Sequence, residues 1–185
     1  MRTVIRKARK VAGVYIVVTP RGKLCFLVDC TVNIDPSPDR MTETAARAAW
    51  VAREFDVEPR VALLSFSNFG SSAHPAVVKG SGSRPSRAGT PPKSMDGEMQ
   101  ADTAVVREIV DETYPFSAVK GGANILIFSN LDAGNIAYKL LSRLGEAQVM
   151  FYSGAPLSMT SSTWPQSRRS RRSSRVRGEK ARRHG

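Results

Sequence analysis

The apolar residues near the start of the chain follow the pattern of β-strands. Val11–Thr19 and Leu24–Asp29 are rich in β-branched and other apolar residues, in runs of strand length. Pro20-Arg21-Gly22 lies between the two runs, and proline and glycine are typical of tight turns. The pattern therefore predicts a β-hairpin or a short meander.

A helix and a buried strand are predicted next. Thr42–Phe55 has the helical period, with Thr42 as the candidate N-cap. One face of this helix is apolar and consists of Met41, Ala45, Ala48, Ala52 and Phe55. Val61–Leu64 is a continuous apolar run, which predicts a buried strand. Thr31–Pro38 is predicted to be either a turn that leads into the helix or a cleft-lining loop, in which Asp35 and the preceding Asp29 could contact a ligand.

The second half of the chain contains a strand–loop–helix pattern. Asn124–Phe128 is a short apolar run behind two glycines, which predicts a buried strand. Asp132 is a candidate N-cap, and Gly145 lies where the helix is expected to end. The apolar positions at helical spacing are Ile136, Ala137, Leu140, Leu141 and Leu144. The polar loop between strand and helix leaves the carboxyl end of a strand, where open α/β sheets bind their ligands.

Two polar segments carry candidate chemistry. Ser65–Ser72 follows a predicted strand and offers hydroxyl and backbone N–H donors to an anion, although ordinary turns have the same composition. It is not a Walker A loop, because no Gly-Lys-Ser/Thr follows. Asp96–Asp102 contains three carboxylates, which suit acid–base or metal chemistry. Asp102 is also well placed to cap the next helix, whose apolar stripe is Val105, Val106, Ile109 and Val110.

Composition limits the class of protein. A chain of 185 residues fits one domain, alone or with tails. Its two cysteines, Cys25 and Cys30, lie in a strand-like run and are expected to be core residues in a reducing compartment. No Cys/His cluster indicates a zinc site, and no apolar run is long enough for a membrane span. His74 has no partner assignable from spacing and is expected to lie in a surface loop.

The net charge of +12 is concentrated at the two ends of the chain. Residues 1–10 hold five Lys/Arg and no acid, and residues 151–185 hold nine Lys/Arg with one acid, Glu179. The part between them has a net charge of −1. The domains are therefore predicted as a basic extension (1–10), a neutral body (11–149) and an Arg/Ser-rich tail (150–185). Both ends are expected to be poorly ordered, and an Arg-rich tail suits nonspecific contact with nucleic acid.

Residues 79–94 break the pattern of the body. They are rich in Gly, Ser, Pro and Arg and have no apolar period, which is typical of a linker. A parallel sheet, however, needs a crossover connection after the Val61–Leu64 strand. We therefore hypothesise that this segment is translated out of frame, and that a second frame change lies near Met150. The nucleotide sequence tests this, because the alternative frame should encode an apolar-periodic helix.

Four segments resemble, in the same order, the phosphate acetyl/butyryl transferase family. The resemblance spans about Val11 to Val149, and its closest match is the phosphotransacetylase-like domain at the carboxyl end of bacterial NADP-dependent malic enzymes. The segments are DCTVNIDP (Asp29–Pro36), LLSFSNFGSS (Leu63–Ser72), DGEMQAD (Asp96–Asp102) and KGGAN with NLDAGNIAYKL (within Lys120–Gly145).

The resemblance implies an α/β fold and an acyl-transfer ancestry. It implies a three-layer unit with a mostly parallel sheet, one of the two domains between which the family's active site lies. The implied substrates are acetyl-CoA or acyl phosphate, CoA and phosphate, with no metal and no cofactor bound by this chain. The residues that match as candidates for phosphate or CoA-ester binding are Ser65, Ser67, Asn68, Ser71, Asp96, Gln100, Asn130 and Asn135.

The resemblance also sets out what this chain lacks. The family's Ser-Arg loop and downstream Asp have no counterpart after Val149, so no catalytic residue is assigned and the chain is expected to be an inactive fragment. Intact relatives are expected to be cytoplasmic homo-oligomers. Two alternatives stay open, namely a regulatory or oligomerisation module that binds acetyl-CoA without catalysis, and a nucleic-acid-binding protein that uses the Arg-rich tail.

Overall fold

The first two strands form the predicted hairpin. A computed structural model describes residues 13–74, 77 and 92–152. Strand β1 spans Val14–Val18 and β2 spans Leu24–Val28, and they pair antiparallel with Ile16 opposite Phe26. The turn is closed by a hydrogen bond from the Gly22 N–H to the Thr19 carbonyl oxygen, 2.8 Å long.

Six strands form one mixed sheet in the order β4-β3-β5-β2-β1-β6. Strands β2, β5, β3 and β4 are parallel to one another, and β6 pairs antiparallel with β1 at the edge. The predicted strands at Val61–Leu64 and Asn124–Phe128 are confirmed, whereas β4 and β6 were not predicted as strands. The remaining bounds are β3 Val61–Leu64, β4 Met95–Met99, β5 Ile125–Ile127 and β6 Gln148–Tyr152.

Helix α1 spans Pro38–Glu54 and begins four residues before the predicted start. The N-cap predicted at Thr42 is wrong, because Ser37 caps the helix and its Oγ accepts a hydrogen bond from the Arg40 N–H. Pro38 occupies the first turn, where its fixed φ suits a helix and its missing N–H costs nothing. The predicted apolar face is confirmed, since Met41, Ala45, Ala48, Ala52 and Phe55 are all buried.

The helices after β4 and β5 differ in detail from the predictions. Helix α2 is short, Ala101–Val105, and the predicted continuous helix breaks at Val106 before a π-helical turn at Ile109–Thr113. Gln100, not Asp102, occupies its N-cap position. Helix α3 spans Leu131–Arg143 and ends just before Gly145, close to the predicted end.

Helices cover both faces of the sheet, as the three-layer prediction requires. On one face the Phe55 ring of α1 packs edge-on against Phe26 of β2, with ring centroids 5.8 Å apart. On the other face Leu27 and Leu126 belong to a buried cluster that includes Ala104 of α2 and contacts Ala137 of α3. Because neighbouring residues in a strand point to opposite faces, β2 contributes to both layers.

Several predicted boundaries fall at or beyond the described residues. Strand β6 continues through the predicted boundary at 149/150 and pairs with β1 as far as Tyr152. The predicted basic extension, most of the atypical segment 79–94, and the Arg/Ser-rich tail after residue 152 lie outside the described residues. Among the helices that are described, none is long and apolar enough to cross a membrane.

Candidate functional site

The candidate residues except Asp96, which is the second residue of β4, lie near the carboxyl edge of the sheet. Because β2, β3, β4 and β5 are parallel, their carboxyl ends meet at one edge, where α/β proteins bind ligands. The Ser65–Ser72 loop follows β3, Gln100 follows β4, Asn130 follows β5, and Asp29 follows β2. The fold thus forms two adjoining groups, one after β3 and β4 and one after β2 and β5.

The Ser65–Ser72 loop is built around the buried carboxylate of Glu98, which is 1% exposed. Glu98 Oε1 accepts hydrogen bonds from the Ser67 hydroxyl at 3.0 Å and from the Gly70 N–H at 2.9 Å. Ser67 Oγ in turn accepts a bond of 3.1 Å from the Ser72 N–H. Ser71 Oγ lies 3.0 Å from Ser67 Oγ, and it is the donor there because the single Ser67 proton is used on Glu98.

This arrangement decides which loop groups a ligand can use. The Asn68 N–H donates to Ser71 Oγ and the Phe69 N–H to the Glu98 carbonyl, so these loop donors point inward. Ser67 is buried and holds the loop in place. The donors left for a ligand are the hydroxyl of Ser65 and Nδ2 of Asn68, which donate to nothing in the described part of the chain. The hydroxyl of exposed Ser71 gives its proton to Ser67 and accepts from the Asn68 N–H, so it holds the loop in place.

Gln100 ties the end of β4 to the same loop. Its backbone N–H donates to Asn68 Oδ1 at 2.7 Å, and its Nε2 donates to the Phe66 carbonyl at 2.8 Å. Gln100 therefore positions Asn68 and fixes the loop between β3 and β4. Its predicted contact with ligand stays a prediction.

Gly97 allows β4 to lie close enough to β3 for this contact. Its φ is +142°, and a Cβ at this position would lie 2.7 Å from the Leu63 carbonyl oxygen. A side chain would therefore clash with the backbone of β3. The close approach brings Glu98 beneath the loop.

Asp96 is committed to contacts within the protein. Its Oδ2 accepts hydrogen bonds from the Ser117 hydroxyl at 3.0 Å and from the Ala118 N–H at 2.8 Å. Its Oδ1 accepts from the Gly97 N–H at 2.9 Å. Oδ2 thus holds the segment after the π-helical turn against β4, while Oδ1 bonds within β4, and the predicted ligand contact of Asp96 stays a prediction.

The second group surrounds Asp29, which is 1% exposed and has a φ of +69°. Its Oδ1 accepts a hydrogen bond of 2.5 Å from Asn33 Nδ2, while Oδ2 is buried without a partner among the described residues. Burial raises the pKa of this carboxyl, against opposing effects of the Asn33 hydrogen bond and the Arg40 charge. An unpaired buried oxygen is costly, and a bound proton lowers that cost.

Asn130 and Asn135 connect the β2 loop to α3. Asn130 caps α3, its Oδ1 accepting from the Ala133 N–H at 2.9 Å, so the cap predicted at Asp132 is wrong. Asn135 Nδ2 donates to the Cys30 carbonyl at 3.4 Å, and the Leu131 N–H donates to the Ile34 carbonyl at 3.0 Å. These asparagines shape the site, and their predicted ligand contacts stay predictions.

Sequence reasoning missed the role of Glu98. It counted Glu98 among three carboxylates but assigned it no site role, because the run Met95–Met99 has no apolar pattern that predicts a strand. The one signal available in the sequence was the adjacent Gly97, because a glycine inside a strand often marks a close approach of two backbones. Its positive φ in the structure agrees with this.

The remaining reactive side chains give no catalytic arrangement. His74 is exposed in a loop, as predicted, with its ring 5.9 Å from the Phe66 ring centroid. Cys25 and Cys30 are free and buried, and burial raises the pKa of the Cys30 thiol to about 12, so it is a thiol and not a nucleophilic thiolate at neutral pH. No group of three metal-ligating side chains occurs in the ranges that the structure describes.

Known proteins resemble this chain in sequence and in structure. It is 37% identical over 143 residues to phosphate acetyltransferase of Bacillus subtilis, which covers 77% of this chain and 44% of that protein. It is 44% identical over 117 residues to NADP-dependent malic enzyme of Salmonella typhimurium, covering 63% of this chain and 15% of that enzyme. The EutD phosphotransacetylase from Staphylococcus aureus superposes with a TM-score of 0.66 at 27% identity, over 78% of this chain and 45% of that one.

The family model described as Phosphate acetyl/butaryl transferase matches residues 2–151. This range includes both groups at the carboxyl edge and all six strands except the last residue of β6. The chain spans less than half the length of the phosphate acetyltransferases that it matches. The agreement of sequence, fold and family model shows that the chain belongs to the phosphate acetyl/butyryl transferase family.

Proposed function

We propose that this chain is a phosphotransacetylase-like domain of a malic-enzyme-type protein, and that it supplies one wall of a site for acyl phosphate or a CoA ester. The observation that carries the proposal is the family match over residues 2–151. It is supported by the parallel strands β3, β4 and β5, which are followed by the Ser65–Ser72 loop, Gln100 and Asn130. The malic-enzyme type is supported by 44% identity to the Salmonella enzyme.

The chemistry of the edge suits binding better than catalysis. Acetyl transfer between phosphate and CoA needs a base for the thiol and cationic groups for the phosphate. The edge side chains in the described part of the chain are hydroxyls, amides and buried carboxyls, and the donors available to a ligand are the Ser65 hydroxyl and Asn68 Nδ2. We therefore propose that the chain binds its ligand through these neutral groups and does not transfer the acetyl group by itself.

Calorimetric titration of the full chain with acetyl-CoA, CoA and acetyl phosphate tests the binding. We expect weak binding of at least one of them, and Ser65→Ala should weaken it by roughly threefold or more, the loss of about one hydrogen bond. Ser142→Ala is the matched control. It also removes one serine hydroxyl, but it lies near the carboxyl end of α3, whereas the sheet edge adjoins the amino end. Absence of binding by all three compounds would overturn the proposal.

Turnover is measured separately. Loss of the CoA thiol in the presence of acetyl phosphate should stay at the uncatalysed rate with this chain and rise with the Bacillus phosphate acetyltransferase as the positive control. Turnover by the chain alone, above the uncatalysed rate, would contradict the proposal that the chain does not transfer the acetyl group by itself.

A second candidate is a regulatory module that binds acetyl-CoA without any acyl transfer in the intact protein. The match to a malic enzyme favours it, because that enzyme is named for a different reaction. Binding of acetyl-CoA without binding of acetyl phosphate would support this candidate over the first.

A further inference from the structure

Basic residues precede each of the parallel strands. Lys23 and Arg60 come directly before β2 and β3, and Lys93 and Lys120 lie shortly before β4 and β5. Because these strands are parallel, their amino ends meet at one edge of the sheet, opposite the carboxyl edge that holds the candidate site for an acyl phosphate or CoA ester. The amino edge therefore carries a cation at the start of each parallel strand.

Lys23 and Arg60 both lean towards Gly122. Strand β5 lies between β3 and β2 in the sheet, so the segment that leads into β5 and contains Gly122 lies between the two basic residues. Arg60 Nε donates to the Gly122 carbonyl oxygen at 2.6 Å. Lys23 Nζ donates to the Val105 carbonyl oxygen at 3.0 Å, and this oxygen lies 3.2 Å from the position of a Cβ at Gly122. Both cations are therefore held beside the Gly122 backbone.

The buried thiol of Cys25 is affected by the same two charges. Burial raises the pKa of Cys25, and the positive charges of Lys23 and Arg60 both oppose that rise. The interaction between two charges weakens with the distance between them. Both cations therefore lie close to the start of β2, in agreement with their hydrogen bonds beside Gly122.

Most of the hydrogen-bond donors around Gly122 are unused. Only Nε of the Arg60 guanidinium is bonded within the described residues, which leaves both Nη groups. Lys23 Nζ uses one proton on Val105 and keeps the others. Gly122 is buried with a φ of +80°, and its N–H has no acceptor in the ranges that the structure describes. A buried N–H without an acceptor is rare, and a ligand oxygen can supply the missing acceptor.

The acidic residues nearby do not neutralise the two cations. Asp111 lies close to the turn before β5, but it pairs with Arg107 at 3.3 Å. Glu58 is exposed and precedes Arg60 by one turn of loop, yet neither Lys23 nor Arg60 forms an ion pair within the described part of the chain. Two unpaired cations beside a free backbone donor favour an anion.

We propose that Lys23, Arg60 and the Gly122 N–H bind a phosphate group at the amino edge, at a site separate from the one at the carboxyl edge. Phosphate suits these donors, because the guanidinium of arginine meets two of its oxygens with parallel N–H groups and lysine adds a charged donor from the other side. A further oxygen accepts from the backbone N–H. The phosphate group is either inorganic phosphate or part of a larger compound such as CoA.

Amide NMR spectra of the full chain during titration with inorganic phosphate test this site, with chloride at matched ionic strength as the reference. We expect saturable shifts of the Gly121 and Gly122 signals that chloride does not produce. Lys23→Gln and Arg60→Gln should each raise the dissociation constant by about fivefold or more, because each replaces a charged donor with a neutral one that still reaches the same carbonyl. Arg21→Gln is the control, since it removes the same charge from the exposed hairpin turn, and it should change the constant by less than about twofold.

Ser65→Ala separates this site from the one at the carboxyl edge. It should weaken binding of the acyl ligand and leave the phosphate-induced shift of Gly122 unchanged. A titration with CoA identifies the source of the phosphate group: saturation at a lower concentration than with inorganic phosphate assigns the site to CoA, and the reverse assigns it to free phosphate. Unshifted signals of Gly121 and Gly122 would overturn the proposal, as would an equal effect of Arg21→Gln and Lys23→Gln.

Discussion

Glu98 is the residue on which the loop after β3 depends. Its buried carboxylate accepts from a side chain and from a backbone N–H that are three residues apart in the loop. A hydrogen bond to a charged acceptor is stronger than one between neutral groups, so this single residue fixes the loop conformation.

Removing the Glu98 carboxylate should destabilise the fold. We expect Glu98→Ala to lower the free energy of unfolding by about 2–4 kcal/mol. The reason is that the buried Ser67 hydroxyl and the Gly70 N–H lose their hydrogen-bond acceptor. Glu98→Gln keeps an acceptor oxygen and should cost less than half as much. Urea unfolding measures both variants, and equal losses would show that the cost comes from packing and not from the hydrogen bonds.

Because of Asp29, the free energy of unfolding should rise as the pH falls towards 4. This is the opposite of the effect of a carboxyl group whose pKa is lowered by folding. Its pKa in the folded chain is raised above the ordinary value of 3.8, so the folded state holds the proton more tightly than the unfolded chain does. This residue therefore opposes folding above its raised pKa, and the opposition disappears as the pH falls towards 3.8.

Comparison with Asp29→Asn isolates this effect. Asparagine accepts the same hydrogen bond from Asn33 and tolerates the positive φ, but it does not titrate. As the pH falls from neutral towards 4, wild type should gain stability relative to the variant. Urea midpoints at matched pH values measure the difference, and parallel curves for the two proteins would contradict the raised pKa.

Among the elements, the strands and the long helix were the most predictable. Val61–Leu64 has the predicted bounds, and α1 buries the five residues that its period indicated. Apolar periodicity reports which side of an element faces the core, and this is settled by local sequence. Strand β4 could not be predicted in this way, because Asp96, Gly97 and Glu98 are polar or small and are satisfied by distant partners.

The helix starts show the same limit. In both α1 and α3 the residue predicted as cap lies inside the helix, and the actual cap lies nearer the amino end. In α3 both Asn130 and Asp132 are good capping residues, and the sequence does not say which has extended backbone. That choice is made by the Leu131 N–H, which bonds to the loop after β2.

Substitution of the two candidate caps of α3 distinguishes them energetically. Asn130→Ala should lower the free energy of unfolding by about 1 kcal/mol, since it removes the side-chain acceptor of the Ala133 N–H. Asp132→Ala removes only a favourable charge near the helix amino end, about 0.5 kcal/mol. Thermal or urea unfolding compares them, and a larger loss at Asp132 would place the cap there.

At the scale of the whole molecule, charge and fold belong to different parts of the chain. The described ranges coincide closely with the nearly neutral body, whereas the excess of Lys and Arg lies in the ends. The sequence therefore indicated correctly that the net charge of +12 is no property of the sheet and its edge.

Deletion of residues 153–185 should separate the two properties. We expect the shortened chain to keep its cooperative unfolding and to lose retention on DNA, because the tail carries nine Lys/Arg. Retention of the full chain should fall steeply with salt, as expected for phosphate contacts. DNA binding that survives the deletion would come from the basic residues 1–10 or from the body, and further deletion of residues 1–10 distinguishes the two.

The close contact at Gly134 has a mechanical consequence. A Cβ there would lie 3.0 Å from the Cys30 Cα, and two hydrogen bonds, from Leu131 and Asn135, join the same loop to the same helix. Loop and helix must therefore shift together. Any compound that displaces the loop after β2 must therefore also shift α3, so binding at the sheet edge is coupled to the position of this helix.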